Sequence, residues 1–142
     1  MKKVYISGKI SGLERSSYMA HFSIAEQMLR KAGYISVCNP TKKPPCQWPW
    51  LYRIMGYNLT LLYDLWLLLR CDLIYKIPGW QESHGANIES CVAYHLGVWP
   101  VPKKTREKID KRLAKFIHKE EEAKNEKDNQ VAAAADDAAD SV

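Results

Sequence analysis

Apolar positions along this chain change their period several times, and each change marks an element. Lys3 to Ile6 reads as a short buried strand. From Ser16 or Ser17, either of which can cap a helix, the apolar residues Phe22, Ala25, Met28 and Leu29 recur at helical spacing as far as Ala32, where Gly33 suits the position just past the helix end. Tyr34 to Cys38 is a second strand. Asn39 to Trp50 holds four prolines and two tryptophans and is expected to be an irregular loop, either walling one side of a site or pinned to the core by Trp48 and Trp50. Leu51 to Arg70 is apolar nearly all round and predicts a long, well-buried helix.

Leu73 to Ile77 is the third strand. His84 to Leu96 is a helix with Ile88, Val92 and Leu96 as the stripe facing a sheet and Glu89 at its edge, and Gly97 ends it. Val98 to Val101 is a fourth strand, and Pro102 breaks the chain before an amphipathic helix, Lys103 to Ala123, with Ile109, Leu113, Phe116 and Ile117 inward. Strands alternating with helices imply right-handed crossovers and parallel pairing. The predicted fold is therefore α/β: a flavodoxin- or Rossmann-like, doubly wound parallel sheet of four or five strands, ordered 2-1-3-4, with helices on both faces. Residues 1–102 form the α/β domain, 103–124 a basic helix, and 125–142 a tail that is disordered or loosely helical, since it lacks apolar anchors.

Composition changes this picture little. The 142 residues suffice for one domain with a real core, and 46% hydrophobic and 26% charged residues are ordinary for a globular chain. The net charge of +5 is concentrated between Lys103 and Lys124, where nine Lys or Arg face five Asp or Glu. It reads as a solvated helix face rather than a nucleic-acid surface. The start, Met1-Lys2-Lys3, loses its apolar run too early for a signal peptide, and Asp64, Arg70 and Asp72 interrupt the apolar run from Leu59 to Tyr75 before it could span a membrane. Cys38, Cys46, Cys71 and Cys91 show neither a CxxC pair nor zinc spacing. A cytoplasmic protein with free thiols, no metal and no cofactor is expected.

Candidate chemistry gathers where the ends of strands one and three lie side by side in such a sheet. The turn Ser7-Gly8-Lys9-Ile10-Ser11-Gly12 offers exposed N–H groups to an anion, although it matches neither the dinucleotide nor the P-loop spacing. Ser83 is a good N-cap, and Gly85 leaves the first turn of its helix open to close approach, a ready anion site. Asp64 lies in an apolar helix, where a carboxylate needs a partner or a purpose; a salt bridge to Arg53, Arg70 or a lysine is the plain alternative. Asp72 is expected to make a local turn bond. His84 reads as an inert loop residue, and Cys91 and His95, four apart on one helix, as core packing rather than metal ligands. Together Tyr5, Gly8, Asp64, Ser83, Gly85 and Glu89 supply two carboxyls, a phenol and an anion-binding turn, a set suited to glycosidic-bond chemistry through an oxocarbenium-like state.

The opening KKVYISGKISG, the aspartates Asp64 and Asp72, and the stretch SHGANIESCVAYHLG together resemble the nucleoside 2-deoxyribosyltransferase superfamily over about residues 1–101, nearest to its small members that begin YISGPITG. That resemblance implies that Glu89 is a nucleophile, that the Tyr5 hydroxyl holds it, and that Asp64 contacts the base. Transferases carry an aspartate where Ser83 stands. The related deoxynucleoside 5′-monophosphate N-hydrolases carry a serine there, which binds the 5′-phosphate with the glycine matched by Gly85. The resemblance therefore implies a nucleotide substrate. Lys9 replaces a proline common in the small members and either pairs with phosphate or points to solvent. A homodimer or higher oligomer is expected, from the resemblance and from the surplus apolar surface of the two long helices. The alternatives are a catalytically silent nucleotide-binding sensor and an interaction protein that uses the basic helix.

Overall fold

The computed structural model describes residues 1–140, apart from the side chains of Pro45 and Cys46. Strands β1 (Lys3–Ser7), β2 (Ser36–Cys38), β3 (Leu73–Lys76) and β4 (Trp99–Pro100) form one all-parallel sheet in the order β2-β1-β3-β4. Between and after them run α1 (Arg15–Lys31), the four-residue α2 (Pro44–Gln47), α3 (Pro49–Leu69), α4 (His84–Leu96) and α5 (Lys103–Asp140). This is the doubly wound α/β arrangement the alternation predicts.

Side chains alternate across a strand, so the odd and even residues of β1 feed two different cores. Val4 and Ile6 pack with Leu73 and Tyr75 beneath Phe22 and Leu29 of α1 and Ile109 and Leu113 of α5. Tyr5 and Ile74 face the other way, with Cys38, against Leu67 and Leu68 of α3 and Ala93 of α4. Each fully buried Leu, Ile or Phe contributes about 1.5–3 kcal/mol, so the two layers hold the strand ends in a fixed register.

Local details differ from the sequence-based expectations in instructive ways. Ser16 and Ser17 lie inside α1; its N-cap is Glu14, with no side-chain cap bond. Ser17 is instead buried, and its hydroxyl donates to Glu120 Oε2 at 3.0 Å, while His21 Nε2 lies 2.7 Å from the same oxygen. Those contacts clamp α5 onto α1. The helix α5 runs to Asp140 instead of ending near residue 124, because the Ala-rich continuation has strong helix propensity and no Gly or Pro to stop it. Its last twenty described residues, 121–140, are exposed, and Ser141 and Val142 of the expected tail lie outside the described residues.

The proline-rich loop is not irregular: Pro40–Lys42 is a 3-10 turn and Pro44–Gln47 a helical one. Proline at the first helical position loses no hydrogen bond, so Pro40, Pro44 and Pro49 each start a helical segment. Trp48 and Trp50 stack on one another with ring centres 6.2 Å apart and remain exposed, so they do not pin the segment to the core.

The long apolar helix is also not well buried. Gly56, at φ 72° and ψ 175°, breaks α3 into two parts, and only Thr60, Leu67 and Leu68 are buried. Ile54, Leu59, Leu62 and Trp66 are among its exposed residues, because one sheet face covers only one side of a helix. Gly8 is fixed by packing: a Cβ there would sit 3.1 Å from Ile77 Cβ and 3.3 Å from Phe22 Cζ, tighter than side chains normally approach. Asp72 makes no local bond; its Oδ2 accepts from the Lys3 N–H at 2.8 Å and ties the start of β3 to the start of β1. No helix among the described residues is long and apolar enough to cross a membrane.

Candidate active site

Glu89 is the centre of the site, and its position corrects the predicted helix face. The residues of α4 turned to the sheet are Ala86, Glu89 and Ala93, whereas Ile88 and Val92 are half-buried and Leu96 is exposed. Two alanines let the helix approach the sheet closely, which places Glu89 over β1 rather than at an edge. There the Tyr5 hydroxyl donates to Glu89 Oε1 at 2.8 Å, and the Ser7 hydroxyl donates to Oε2. Tyr5 and Ser7 alternate on the same face of β1, so one strand supplies both donors. Ser7 was not singled out as a site residue in the sequence, although its period-two spacing from Tyr5 is the signal that points to it.

Asp64 comes from α3. Tyr57, Leu61, Asp64 and Leu68 recur at helical spacing, with Leu68 fully buried in the core and Tyr57 and Leu61 nearest to Gly85. Asp64 is thus held on the inward stripe, half-buried, and it has no hydrogen-bond or ion-pair partner among the described residues. The salt bridge that was the plain alternative is absent; Arg70 instead lies over the Trp66 ring at 4.7 Å.

Burial disfavours the charged form of both carboxyls. Burial, then the charge of Glu89, then Cys38, push Asp64 up to about 8. Burial also raises Glu89, against the lowering effect of its bonds from Ser7 and Tyr5, so this carboxyl does not keep the low value that a helix start and a phenol donor alone would give. The negative charge of Glu89 adds to the burial that disfavours an ionised Asp64. Tyr5 is raised well above the ordinary phenol range by burial and by Glu89, so it stays a donor. Cys38, paired in register with Tyr5, is buried in the same layer, next to Cys71, whose thiol donates to the Leu67 carbonyl at 3.3 Å.

The turn before α4, the candidate anion site, keeps its expected cap. Ser83 caps α4, its oxygen accepting from the Ala86 N–H at 3.3 Å. That leaves its hydroxyl proton free to donate. A Cβ on Gly85 would meet the Tyr57 hydroxyl at 3.4 Å, so Tyr57 overlooks the first turn of α4, a contact with no local signal in the sequence. Asn87 Nδ2 donates to the carbonyls of Gln81 and Ser83 at 2.8 and 2.7 Å and holds the turn in shape. Lys9 Nζ makes an exposed ion pair with Glu82 at 2.7 Å, linking the turn after β1 to the turn before α4. His84 is exposed at the first position of α4. Cys91 and His95, expected in the core, are exposed on the outer face of α4, and no group of potential metal ligands occurs among the described residues. Cys38, Cys71 and Cys91 are free thiols, and the Cys46 side chain lies outside the described residues.

Neither a curated protein nor a solved structure shows significant similarity to the chain. A family model described as "Domain of unknown function (DUF4406)" matches residues 2–101, which take in all four strands, Tyr5, Ser7, Asp64, Ser83, Gly85 and Glu89, and stop before α5. With that match covering most of its length, this chain belongs to the DUF4406 family.

Proposed function

We propose that the protein cleaves, or transfers across, the N-glycosidic bond of a nucleoside or nucleotide through Glu89, most readily on a 5′-monophosphate. The observation that carries this reading is a buried glutamate held by two hydroxyl donors beside a second carboxyl pushed up to about 8. Fixed donors orient a carboxylate for attack, and a neighbouring acid that keeps its proton near neutral pH can give it to a leaving group. In the reaction the Glu89 carboxylate bonds to C1′ and the C1′–N bond breaks. The bonding pair leaves with the base, and Asp64 supplies the proton. Water or an acceptor base then takes the sugar from Glu89, which is released as carboxylate.

Ser83 and the Gly85 N–H, with the turn at Gly8, hold the 5′-phosphate. Replacing Ser83 by Ala removes one charge-assisted bond of roughly 1.5–3 kcal/mol. Monophosphate binding is expected to weaken at least about tenfold with nucleoside binding unchanged, as measured by calorimetry. Equal losses for both ligands would reduce Ser83 to a helix cap.

We further propose a homodimer or higher oligomer that covers the exposed apolar side of α3, where Leu59, Leu62 and Trp66 lie in the open. Light scattering at tens of micromolar should return a mass above 16.3 kDa per particle. A monomer at that concentration refutes the assembly. The direct test of the chemistry is incubation with a panel of 2′-deoxynucleosides and their 5′-monophosphates, followed by chromatography for free base. Tight binding across that panel with no cleavage would make the protein a catalytically silent nucleotide sensor.

A further inference from the structure

A cavity of about 380 Å³ opens beside the end of β3 and is lined by Lys76, Trp80, Arg106 and Asp110 among others. Its origin is topological. The edge strand β4 pairs only with Leu73 and Ile74, so the last residues of β3 have no neighbouring strand on that side. The turn carrying Trp80 and the first turns of α5 close the space from either side. The cavity is at the small end of the range for sites that take small molecules.

Two cations face it without acidic partners. Lys76 Nζ donates to Ser90 Oγ at 3.1 Å and sits 4.1 Å from the centre of the Trp80 ring, so its position is set by a hydroxyl and an indole face and its charge is left uncompensated. Arg106 is half-buried and makes no ion pair among the described residues, although Asp110 stands one turn further along the same helix. That aspartate is engaged elsewhere: its Oδ1 accepts from the Tyr75 hydroxyl at 2.7 Å. Burial, then the Arg106 charge, lower Lys76 from the usual lysine range, so bringing an anion between the two side chains relieves their mutual repulsion.

We infer that Lys76 and Arg106 form an anion site for a phosphate group, carried free or on a small organic molecule, separate from the Ser83 turn. The inference does not depend on glycosidic chemistry, since none of its groups is assigned a role there. Lysine supplies a point charge and arginine a planar fork, a pairing suited to a tetrahedral oxyanion. The Asp110 carboxylate on the same wall opposes the anion, which leaves a site of modest affinity and favours a ligand that keeps away from that side.

The test follows the Trp80 indole N–H resonance of the full chain by NMR, assigned with Trp80→Phe, during titration with inorganic phosphate and separately with phenyl phosphate at constant ionic strength. The resonance is expected to shift saturably. Lys76→Met and Arg106→Met should each weaken the apparent affinity at least about tenfold, the loss of one charge-assisted contact. The remote Lys115→Met should leave it unchanged. Tighter binding of phenyl phosphate identifies an organic phosphate as the ligand, and equal binding identifies free phosphate. The site is refuted if the resonance does not move with either probe, if Lys115→Met weakens binding as much as the two site variants, or if only Ser83→Ala abolishes the shift. Thermal melts show whether each variant is folded; Arg106 lies on the helix surface, so Arg106→Met remains informative should Lys76→Met not fold.

Discussion

Glu89→Gln should leave a folded protein that binds nucleotide and turns it over at least about 10³-fold more slowly. The fold survives because glutamine keeps the shape and both contacts: Tyr5 donates to its carbonyl oxygen, and its amide N–H can donate to the Ser7 hydroxyl, which accepts as readily as it gives. Chemistry fails because an amide oxygen does not attack an anomeric carbon as a carboxylate does. Burial already raises Glu89, so removing its charge should not lower stability at neutral pH. Free base released per unit time, with affinity measured separately by calorimetry, decides the matter. If the wild type cleaves and Glu89→Gln retains most of that activity, the assigned nucleophile is wrong.

Asp64→Asn should be the second large effect, and it carries a pH signature. In the wild type, cleavage is expected to rise as Glu89 ionises and to fall as Asp64 loses its proton near pH 8. Asparagine cannot give a proton, so the rate should drop about 10²–10⁴-fold and lose its alkaline limb. The same two groups act on stability. Both carboxyls are raised above their unfolded values of 3.8 and 4.5, so the folded state binds more protons than the unfolded state across the intervening range. The contribution of Asp64 is fully present below about pH 4 and is lost as pH rises through about 8, and that of Glu89 is lost as it ionises. Melting temperature should therefore decline from pH 5 to pH 9 in the wild type and decline less, by about 2–4 °C, in Asp64→Asn. Equal slopes for the two proteins would mean that Asp64 is solvated and ordinary.

Much of the architecture was legible because it follows from short-range patterning. Phe22, Ala25 and Leu29 at helical spacing placed α1, and the four apolar runs placed the strands in their observed order. The site was legible in part. Ser83 reads as a cap from its type and its place before a helical run, and it is one. Tyr5 and Glu89 were paired through a family likeness, and the structure brings them to 2.8 Å. A serine at the end of a strand ordinarily belongs to the turn, so only its alternation with Tyr5 along β1 marks Ser7.

What the sequence determined by itself is the four strands, the main helices between them and their parallel order, because hydrophobic period records which side of an element avoids water. Only the tertiary structure decided what meets that side. The period within α4 suggested Ile88, Val92 and Leu96, yet Ala86, Glu89 and Ala93 face the sheet, since β1 offers a phenol and a hydroxyl that satisfy a buried carboxylate. The apolar circumference of α3 suggested full burial, yet one sheet face covers one side only and leaves Leu59, Leu62 and Trp66 exposed. Lys9 and Asp72 took partners 73 and 69 residues away. Such partners are set by the crossover geometry of the sheet, which brings distant turns together and has no counterpart in local sequence.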